Sequence, residues 1–411
     1  MNQNTALQSV IKSLRKRCDS SCQSCCGLAF HAYIASFHMK TALILIIALL
    51  PTAAFAQLDN RAFEQRMAVE PADSNKLFLG INMLGFVKDN EFFDTMVEGY
   101  TLFGYQLNPY LSYNISKNVR LDAGVYVQKD FGNDEYSDVK PTFSLKIRQN
   151  NFNFIFGTLE GSVHHRLIEP LYDFERVLNN RLENGVQMIW MKDNSLFLDA
   201  WIDWQKMIYS NSTEPERFTA GISFNKTLFT FGNVHVDLPL QLVAAHQGGQ
   251  IDTIDNEVIT RYNMAGGLTL EGVNEGFING WGIKAYAASF NTSANVPLFA
   301  EDGVGFLVNP YLKTKIGLTV MGSYWYGDRF LSIQGSPLYA SANELYPNRI
   351  DKKRDFFMLR FLYDVKVADG LTLTARAEPF YDSYAEEIEY SFGLYLNFSE
   401  RFFLLNAKKN R

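Results

Sequence analysis

Residues 118–129 read NVRLDAGVYVQK, and apolar and polar side chains alternate along this stretch without a break. One face carries Val119, Leu121, Ala123, Val125 and Val127, and the other carries Arg120, Asp122, Tyr126 and Gln128. A period of two residues with one polar face is typical of a half-buried β-strand. Strands of soluble proteins average about 5–6 residues. A run of this length instead suits a tilted strand that crosses a membrane.

The same alternation recurs along the rest of the chain and predicts sixteen strands. They are expected at 76–88, 104–115, 118–129, 137–148, 151–162, 184–192, 195–207, 217–226, 233–246, 260–271, 280–291, 304–315, 317–327, 355–367, 370–381 and 387–398. Fourteen or eighteen strands are open alternatives, because the segments 227–232 and 272–279 are ambiguous.

The connections between these strands differ in length in a regular way. Tight turns at 116–117, 149–150, 193–194 and 369–370 mostly hold Asn, Asp or Gly, which favour turns. They alternate with longer connections at 89–103, 163–183, 247–259, 292–303 and 328–354. Short turns on one side and long loops on the other are typical of an antiparallel up-and-down transmembrane β-barrel. An even strand number then places both ends of the barrel on the short-turn, periplasmic side.

The composition excludes two other classes of protein. The chain has 411 residues and a formal net charge of −6, whereas nucleic-acid binding calls for clustered basic residues. No segment offers the roughly 18 consecutive apolar residues that a transmembrane helix needs.

The N-terminal region has the pattern of a secretory signal peptide at 39–56. Lys40 precedes an apolar run at 42–50, and Ala54-Phe55-Ala56 fits a cleavage site. Residues 1–38 hold all four cysteines and are interpreted as a start-site error or a non-structural extension. The remaining boundaries predicted are a periplasmic N-terminal segment at 57–75, the barrel at 76–398 and a C-terminal tail at 399–411.

A signal peptide, cysteine-free alternating strands and tight turns opposite long loops together resemble a Gram-negative outer-membrane β-barrel of the porin group. The resemblance is architectural, with no motif matched residue by residue. It implies a location in the bacterial outer membrane, contact with lipid and lipopolysaccharide, and insertion by the barrel-assembly machinery, with a homo-oligomer as an open alternative. Phe398 is similar to the terminal aromatic residue of such barrels, but thirteen residues follow it. Either the last strand continues through Phe402 and Phe403, or a short basic tail follows.

Charged side chains on the polar faces are the candidates for a pore lining. The wall candidates are Arg120, Asp122, Lys146, Arg148, Asp199, Asp203, Arg360, Asp364, Arg376 and Glu378. The loop 163–183 follows the fifth strand, a position that in porins folds into the lumen, so Glu169, Asp173 and Glu175 are the constriction candidates. The alternatives are that the wall residues only pair across strands and that the loop is extracellular.

These features predict a porin-like channel for small hydrophilic solutes that is not an enzyme and has no catalytic residues, metal or cofactor. The alternatives are a barrel-anchored surface protein for glycan binding or for secretion and assembly, and an outer-membrane hydrolase with His164 or His165 as its base. Asp252, Asp255 and Glu257 offer oxygen ligands for Ca²⁺, although a solvated loop is favoured. Four tryptophans are expected in membrane-interface girdles: Trp190, Trp204, Trp281 and Trp325.

Overall fold

The computed structural model describes residues 60–66, 68–93, 97–193, 195–249, 258–294, 300–342 and 352–407, all within one compact unit. The proposed signal peptide, the cysteines, the acidic loop at 252–257 and the basic tail at 408–411 lie outside these residues. In the described part of the chain, no helix is both long and apolar enough to cross a membrane.

Sixteen antiparallel strands form a closed barrel, which confirms the predicted fold class and strand number. The strands are β1 Lys76–Glu91, β2 Tyr100–Asn114, β3 Val119–Asp130, β4 Asp138–Gln149, β5 Phe152–Thr158, β6 Asn184–Lys192, β7 Leu196–Lys206, β8 Arg217–Phe231, β9 Val234–Gln247, β10 Ile259–Val273, β11 Ile278–Ala294, β12 Asp302–Thr314, β13 Leu318–Asp328, β14 Lys353–Ala368, β15 Leu371–Asp382 and β16 Glu387–Asn406. Each strand pairs with its neighbours in sequence, and β1 pairs with β16 to close the barrel.

The two faces of each strand differ as the alternation predicts. Along β3, Val125 is 44% exposed on the outer face, whereas Arg120 is 1% exposed on the inner face. An apolar outer face is what lipid requires, and closure satisfies every strand edge. The chain is therefore a β-barrel of the bacterial outer membrane.

Tight turns at the periplasmic end are made by residues in the left-handed backbone region. Asn150 and Asp193 have positive φ angles of 54° and 49°, and Gly370 has 68°. Asn, Asp and Gly reach this region at lower cost than other residues. The turn residues seen in the sequence thus direct the chain back into the sheet.

Two strand ends differ from the predicted ranges, and for the last strand the alternative that it continues through Phe402 and Phe403 is confirmed. β16 continues past Phe398 to Asn406, because β1 begins at Lys76 and its lower half needs a partner; Phe78 lies opposite Phe403. β5 ends at Thr158 rather than at residue 162, where the chain turns into the barrel and Ser162 takes a positive φ of 56°.

The barrel interior is filled by three segments: 60–73, the loop 159–183, and 329–342. The first was predicted to be periplasmic, but Phe63 packs in the lumen against Phe174 at 5.0 Å and Tyr395 at 5.1 Å between ring centroids. Trp325 is not in a girdle either. It is fully buried and contacts Phe330 at 5.0 Å and Tyr339 at 5.3 Å.

Candidate functional site

The loop 159–183 folds into the lumen and carries a large share of its apolar packing. Ile168, Leu171, Val177 and Leu178 are at most 1% exposed. The structure has only two brief helical turns, Ser162–His165 and Arg176–Asn179. The loop therefore acts as an internal plug whose conformation is fixed mainly by burial.

His165 is clamped between two carboxylates inside this plug. Its Nε2 lies 2.7 Å from Glu183 Oε2, its Nδ1 lies 2.9 Å from Asp199 Oδ2, and its ring stacks on Trp201 at 4.1 Å. Burial alone would lower the pKa of His165, but Glu183 and Asp199 outweigh it and raise the pKa to about 9. Both ring nitrogens then donate hydrogen bonds, so His165 has no free nitrogen with which to accept a proton.

His164 is also fully engaged, but in the neutral form. Burial and then the charge of Arg66 lower its pKa to about 4. Its Nδ1 contacts the Gly161 carbonyl at 2.6 Å, and its Nε2 accepts the Gln65 backbone N–H at 2.7 Å. The described contacts lend no support to the hypothesis that His164 or His165 is the base of a hydrolase, because their ring nitrogens contact carboxylates or backbone groups and no nucleophilic hydroxyl.

The three acidic constriction candidates all lie in the lumen against basic or polar partners. Glu169 accepts hydrogen bonds from Arg360 and from the Tyr339 hydroxyl. Glu175 Oε1 accepts from Asn90 Nδ2 at 2.9 Å and lies 3.8 Å from Lys88 Nζ.

Asp173 is half-buried beside Glu175. Burial and then the charge of that carboxylate raise the pKa of Asp173 to about 8. These acids link the loop to the barrel wall and to one another.

The basic wall candidates are divided among several contacts rather than gathered in one ring. Arg120 pairs with Asp122 at 2.7 Å, and Lys146 pairs with Glu160 at 2.9 Å. Arg148 donates to the Val69 carbonyl at 2.8 Å and so holds the N-terminal segment.

Asp199 and Asp203 lie on β7, and the remaining wall candidates lie on β14 and β15. The Arg376 guanidinium lies 4.1 Å from the Phe174 ring centroid. Glu378 accepts a hydrogen bond from Lys88 at 3.3 Å and forms an ion pair with Arg360, whose Nε lies 3.2 Å away. The sequence located these side chains on the inner face, but it gave no indication of Glu160 as the partner of Lys146 or of Glu183 as the partner of His165.

The outer face at the extracellular rim carries a different arrangement, which the sequence did not single out. His246 lies next to the end of β9, on the face opposite the lumen-facing Gln241 and Val243. Its Nδ1 lies 2.8 Å from Thr260 Oγ1, and its Nε2 lies 3.2 Å from the Gly248 carbonyl oxygen. Because a carbonyl can only accept, Nε2 carries the proton and Nδ1 of the neutral ring accepts from the hydroxyl.

An aromatic stack continues from His246 along the rim. The Phe218 ring stacks on His246 at 4.8 Å and on Trp204 at 5.2 Å, and Trp204 is 37% exposed. A second hydroxyl pair lies elsewhere on the same rim, where Thr101 donates to Asp89 Oδ1 at 2.6 Å. The His246–Thr260 pair, named here the rim dyad, has a hydroxyl, a nitrogen base and a group that orients the base.

A comparison with protein families gives one match. Residues 69–407 match the family described as lipid A 3'-O-deacylase-type, which covers most of the chain. No curated protein sequence matches significantly.

Among solved structures, similar barrels include porin-like outer-membrane proteins of three organisms. OprD of Pseudomonas aeruginosa is 11% identical, with 80% of this chain and 96% of that chain covered and a TM-score of 0.46. OccAB4 of Acinetobacter baumannii is 11% identical, with coverage of 81% and 100% and a TM-score of 0.47. A loop-deletion mutant of OmpT of Vibrio cholerae is 15% identical, with coverage of 79% and 99% and a TM-score of 0.47.

The family match corrects one expectation from the sequence. The chain was predicted not to be an enzyme, but the family that matches is defined by a deacylase activity. The alternation of strand residues could not reveal this, because it reports the barrel and not the chemistry on its rim.

Proposed function

The chain belongs to the lipid A 3'-O-deacylase-type family, and from that premise we propose that it is an outer-membrane hydrolase that cleaves an ester-linked acyl chain from lipid A. The rim dyad is the site that we assign to this reaction. The observation that carries the assignment is the 2.8 Å contact between His246 Nδ1 and the Thr260 hydroxyl on the lipid-facing side of the barrel.

The position of the rim dyad suits a lipid substrate. His246 and Thr260 lie directly opposite each other at the extracellular ends of β9 and β10, and both face outward. On the same face, Leu240 and Met264 are 46% and 45% exposed, farther toward the membrane interior. An acyl ester at the junction of sugar headgroup and hydrocarbon would meet the dyad at this level.

The chemistry follows from the tautomer of His246. Nδ1 takes the proton of the Thr260 hydroxyl as its oxygen attacks the ester carbonyl carbon, and an acyl-threonine forms. The protonated ring then gives that proton to the departing sugar oxygen. A water molecule, deprotonated by the same nitrogen, releases the fatty acid and restores Thr260. The Nε2–H bond to the Gly248 carbonyl keeps the ring oriented throughout.

The aromatic stack supplies a flat apolar wall beside the rim dyad. Phe218 and Trp204 extend it away from His246 along the rim. Such a wall suits the first methylene groups of an acyl chain or the face of a sugar ring. It limits the approach of water from that side and so favours a lipid ester over a soluble one.

The test is mass spectrometry of lipid A from cells that produce the protein or its variants. T260V and H246N are expected to abolish the loss of one acyl chain. S293A is the matched control, because Ser293 is an exposed residue opposite Thr260 on β11 and has no contact with His246 in the described structure. If D89N or T101V abolishes the activity while H246N does not, the site lies at the other rim pair and this assignment is wrong.

A diffusion channel is the second candidate function. It is supported by the sixteen-stranded barrel, by the charged inner wall and by a cavity of about 620 Å³ that is lined by residues from the periplasmic half of several strands. Single-channel recording in planar bilayers tests it. Charge reversal at Glu169 and Asp173 is expected to change the ion selectivity of such a channel, and unchanged selectivity would remove the loop 159–183 from the constriction.

A further inference from the structure

Three potential metal ligands converge in the periplasmic half of the lumen, far along the strands from the rim dyad. His235 and Asp237 lie near the start of β9, two residues apart and therefore on the same face. Glu271 lies on β10, directly opposite His235 in the strand register. The period of the strand and the pairing of two neighbours thus bring the three side chains together.

The spacing of their donor atoms suits a single ion. One ligand atom from each residue lies within 4.8 Å of the others. His235 Nε2 is 3.4 Å from Glu271 Oε2 and 4.0 Å from Asp237 Oδ2. Ligand atoms that bind one Zn²⁺ at about 2.0–2.2 Å are separated by similar distances, so small side-chain rotations would complete the site.

An unsatisfied carboxylate oxygen points independently to a ligand. Asp237 is only 5% exposed, and its Oδ1 is buried without a hydrogen-bond partner in the described structure. An unpaired buried oxygen of a charged group costs free energy, which a bound cation would offset. Asp237 lines the cavity of about 620 Å³.

The neighbouring side chains hold the carboxylates in place. Glu271 Oε1 is 2.8 Å from Lys284 Nζ and accepts a hydrogen bond from the Tyr311 hydroxyl at 3.1 Å, which leaves Oε2 on the side of His235. Asp237 Oδ2 accepts from Asn225 Nδ2 at 3.2 Å. Contacts of this kind orient the ligands of metal sites in proteins.

We propose that His235, Asp237 and Glu271 bind one divalent transition-metal ion, with Zn²⁺ as the best fit. One imidazole and two carboxylates form a mixed nitrogen and oxygen set, whereas Ca²⁺ takes oxygen ligands alone. The cavity beside the three residues leaves room for a water molecule or a small anion as the fourth ligand. The site is independent of the rim dyad and does not rest on the proposed deacylation.

The experiment uses the purified, untagged barrel in detergent after treatment with a chelator. Zn²⁺ binding is measured by calorimetry, and Co²⁺ is added as a spectroscopic probe of four-coordinate geometry. The wild type is expected to bind one ion per chain, and H235N, D237N and E271Q are each expected to weaken binding at least tenfold.

D364N is the matched control, because Asp364 is a carboxylate on β14 in the periplasmic half of the barrel and lies outside the cluster. It is expected to leave Zn²⁺ binding unchanged. Each variant is shown to have folded as a barrel if it migrates more slowly on a gel after heating than before heating. Equal Zn²⁺ affinity in the wild type and H235N, or a loss of affinity in D364N comparable with that in D237N, would overturn the site. Deacylation is not the readout, so failure here leaves the proposed enzyme activity standing.

Discussion

His165 in the barrel interior and His246 on the lipid-facing rim both use their two ring nitrogens, but their partners differ. His165 contacts the carboxylates of Glu183 and Asp199 and is fully buried. His246 contacts a hydroxyl and a backbone carbonyl and is half-buried. The two carboxylates keep a proton on each ring nitrogen of His165, whereas the hydroxyl and the carbonyl leave one ring nitrogen of His246 able to accept a proton.

This difference separates a structural histidine from a chemically available one. Inside the lumen, the charged His165 ring is paired with carboxylates and removed from water, so substitution of His165 is expected to affect folding. On the rim, His246 lies where lipid and water meet, so substitution of His246 is expected to affect the reaction.

The largest effect is expected from H246N. Loss of a general base lowers a rate by about 10²–10⁴-fold, and the variant should keep nearly all of its stability because His246 is half-buried on the rim. Deacylation rates on purified lipid A and denaturant unfolding in detergent measure the two quantities. H165Q should show the reverse, with a destabilised barrel and a near-normal rate per folded molecule. A barrel weakened as much by H246N as by H165Q would contradict the division.

E183Q should destabilise the barrel by about 3–5 kcal/mol, because it leaves the His165 charge buried with one partner fewer. The same carboxylate also accepts from the Tyr172 hydroxyl at 2.6 Å, and this contact should weaken too. Unfolding in urea, followed by tryptophan fluorescence, measures the change. E214Q is the control, since Glu214 pairs with Lys206 on the exposed side and should change nothing measurable. A small effect of E183Q would show that the loop 159–183 is held by its apolar contacts alone.

The fold could be predicted from the sequence because a strand repeats its chemistry every second residue. The residue types of Arg120 and Val125 indicate directly on which face of β3 each lies, and Asn150 and Asp193 indicate turns through their local backbone preference. Sixteen such signals, joined by alternating short and long connections, leave one architecture.

The contents of the lumen and the rim dyad could not be predicted in the same way. Glu183 and Asp199 both contact His165 only because the loop 159–183 folds back into the barrel. Phe63 reaches the lumen because the N-terminal segment 60–73 also folds inward. His246 and Thr260 are 14 residues apart and meet through strand register. The lumen contacts depend on the tertiary structure, and the rim contact depends on the exact register of two neighbouring strands, which the alternation of residue types does not set.

Alkaline pH should weaken the contacts of His165 inside the lumen before it affects the contacts of the barrel wall. The pKa of His165 is raised to about 9 in the folded state from 6.5, so its contribution is complete below about pH 6.5 and is lost as the pH rises through 9. The shift corresponds to about 3 kcal/mol. Unfolding free energies between pH 6 and pH 10 should fall in this window for the wild type. Asp173, with a pKa of about 8, also loses its proton in this range, so H165Q should show a smaller fall than the wild type and H164N should show the same fall. Equal falls in the wild type and H165Q would contradict the raised pKa of His165.

The smallest effect is expected from F218L, which tests how far the rim depends on its aromatic stack. Phe218 contacts both His246 and Trp204, and each ring pair contributes about 0.5–1.5 kcal/mol. The hydrogen bonds that His246 makes with Thr260 and Gly248 do not involve the Phe218 ring, so the base should keep its orientation and the rate should fall less than tenfold. The Michaelis constant for lipid A should rise more than the turnover number falls, since a wall that contacts the substrate contributes mainly to binding. A turnover number as low as that of H246N would mean that the stack, rather than the Gly248 carbonyl, orients the base.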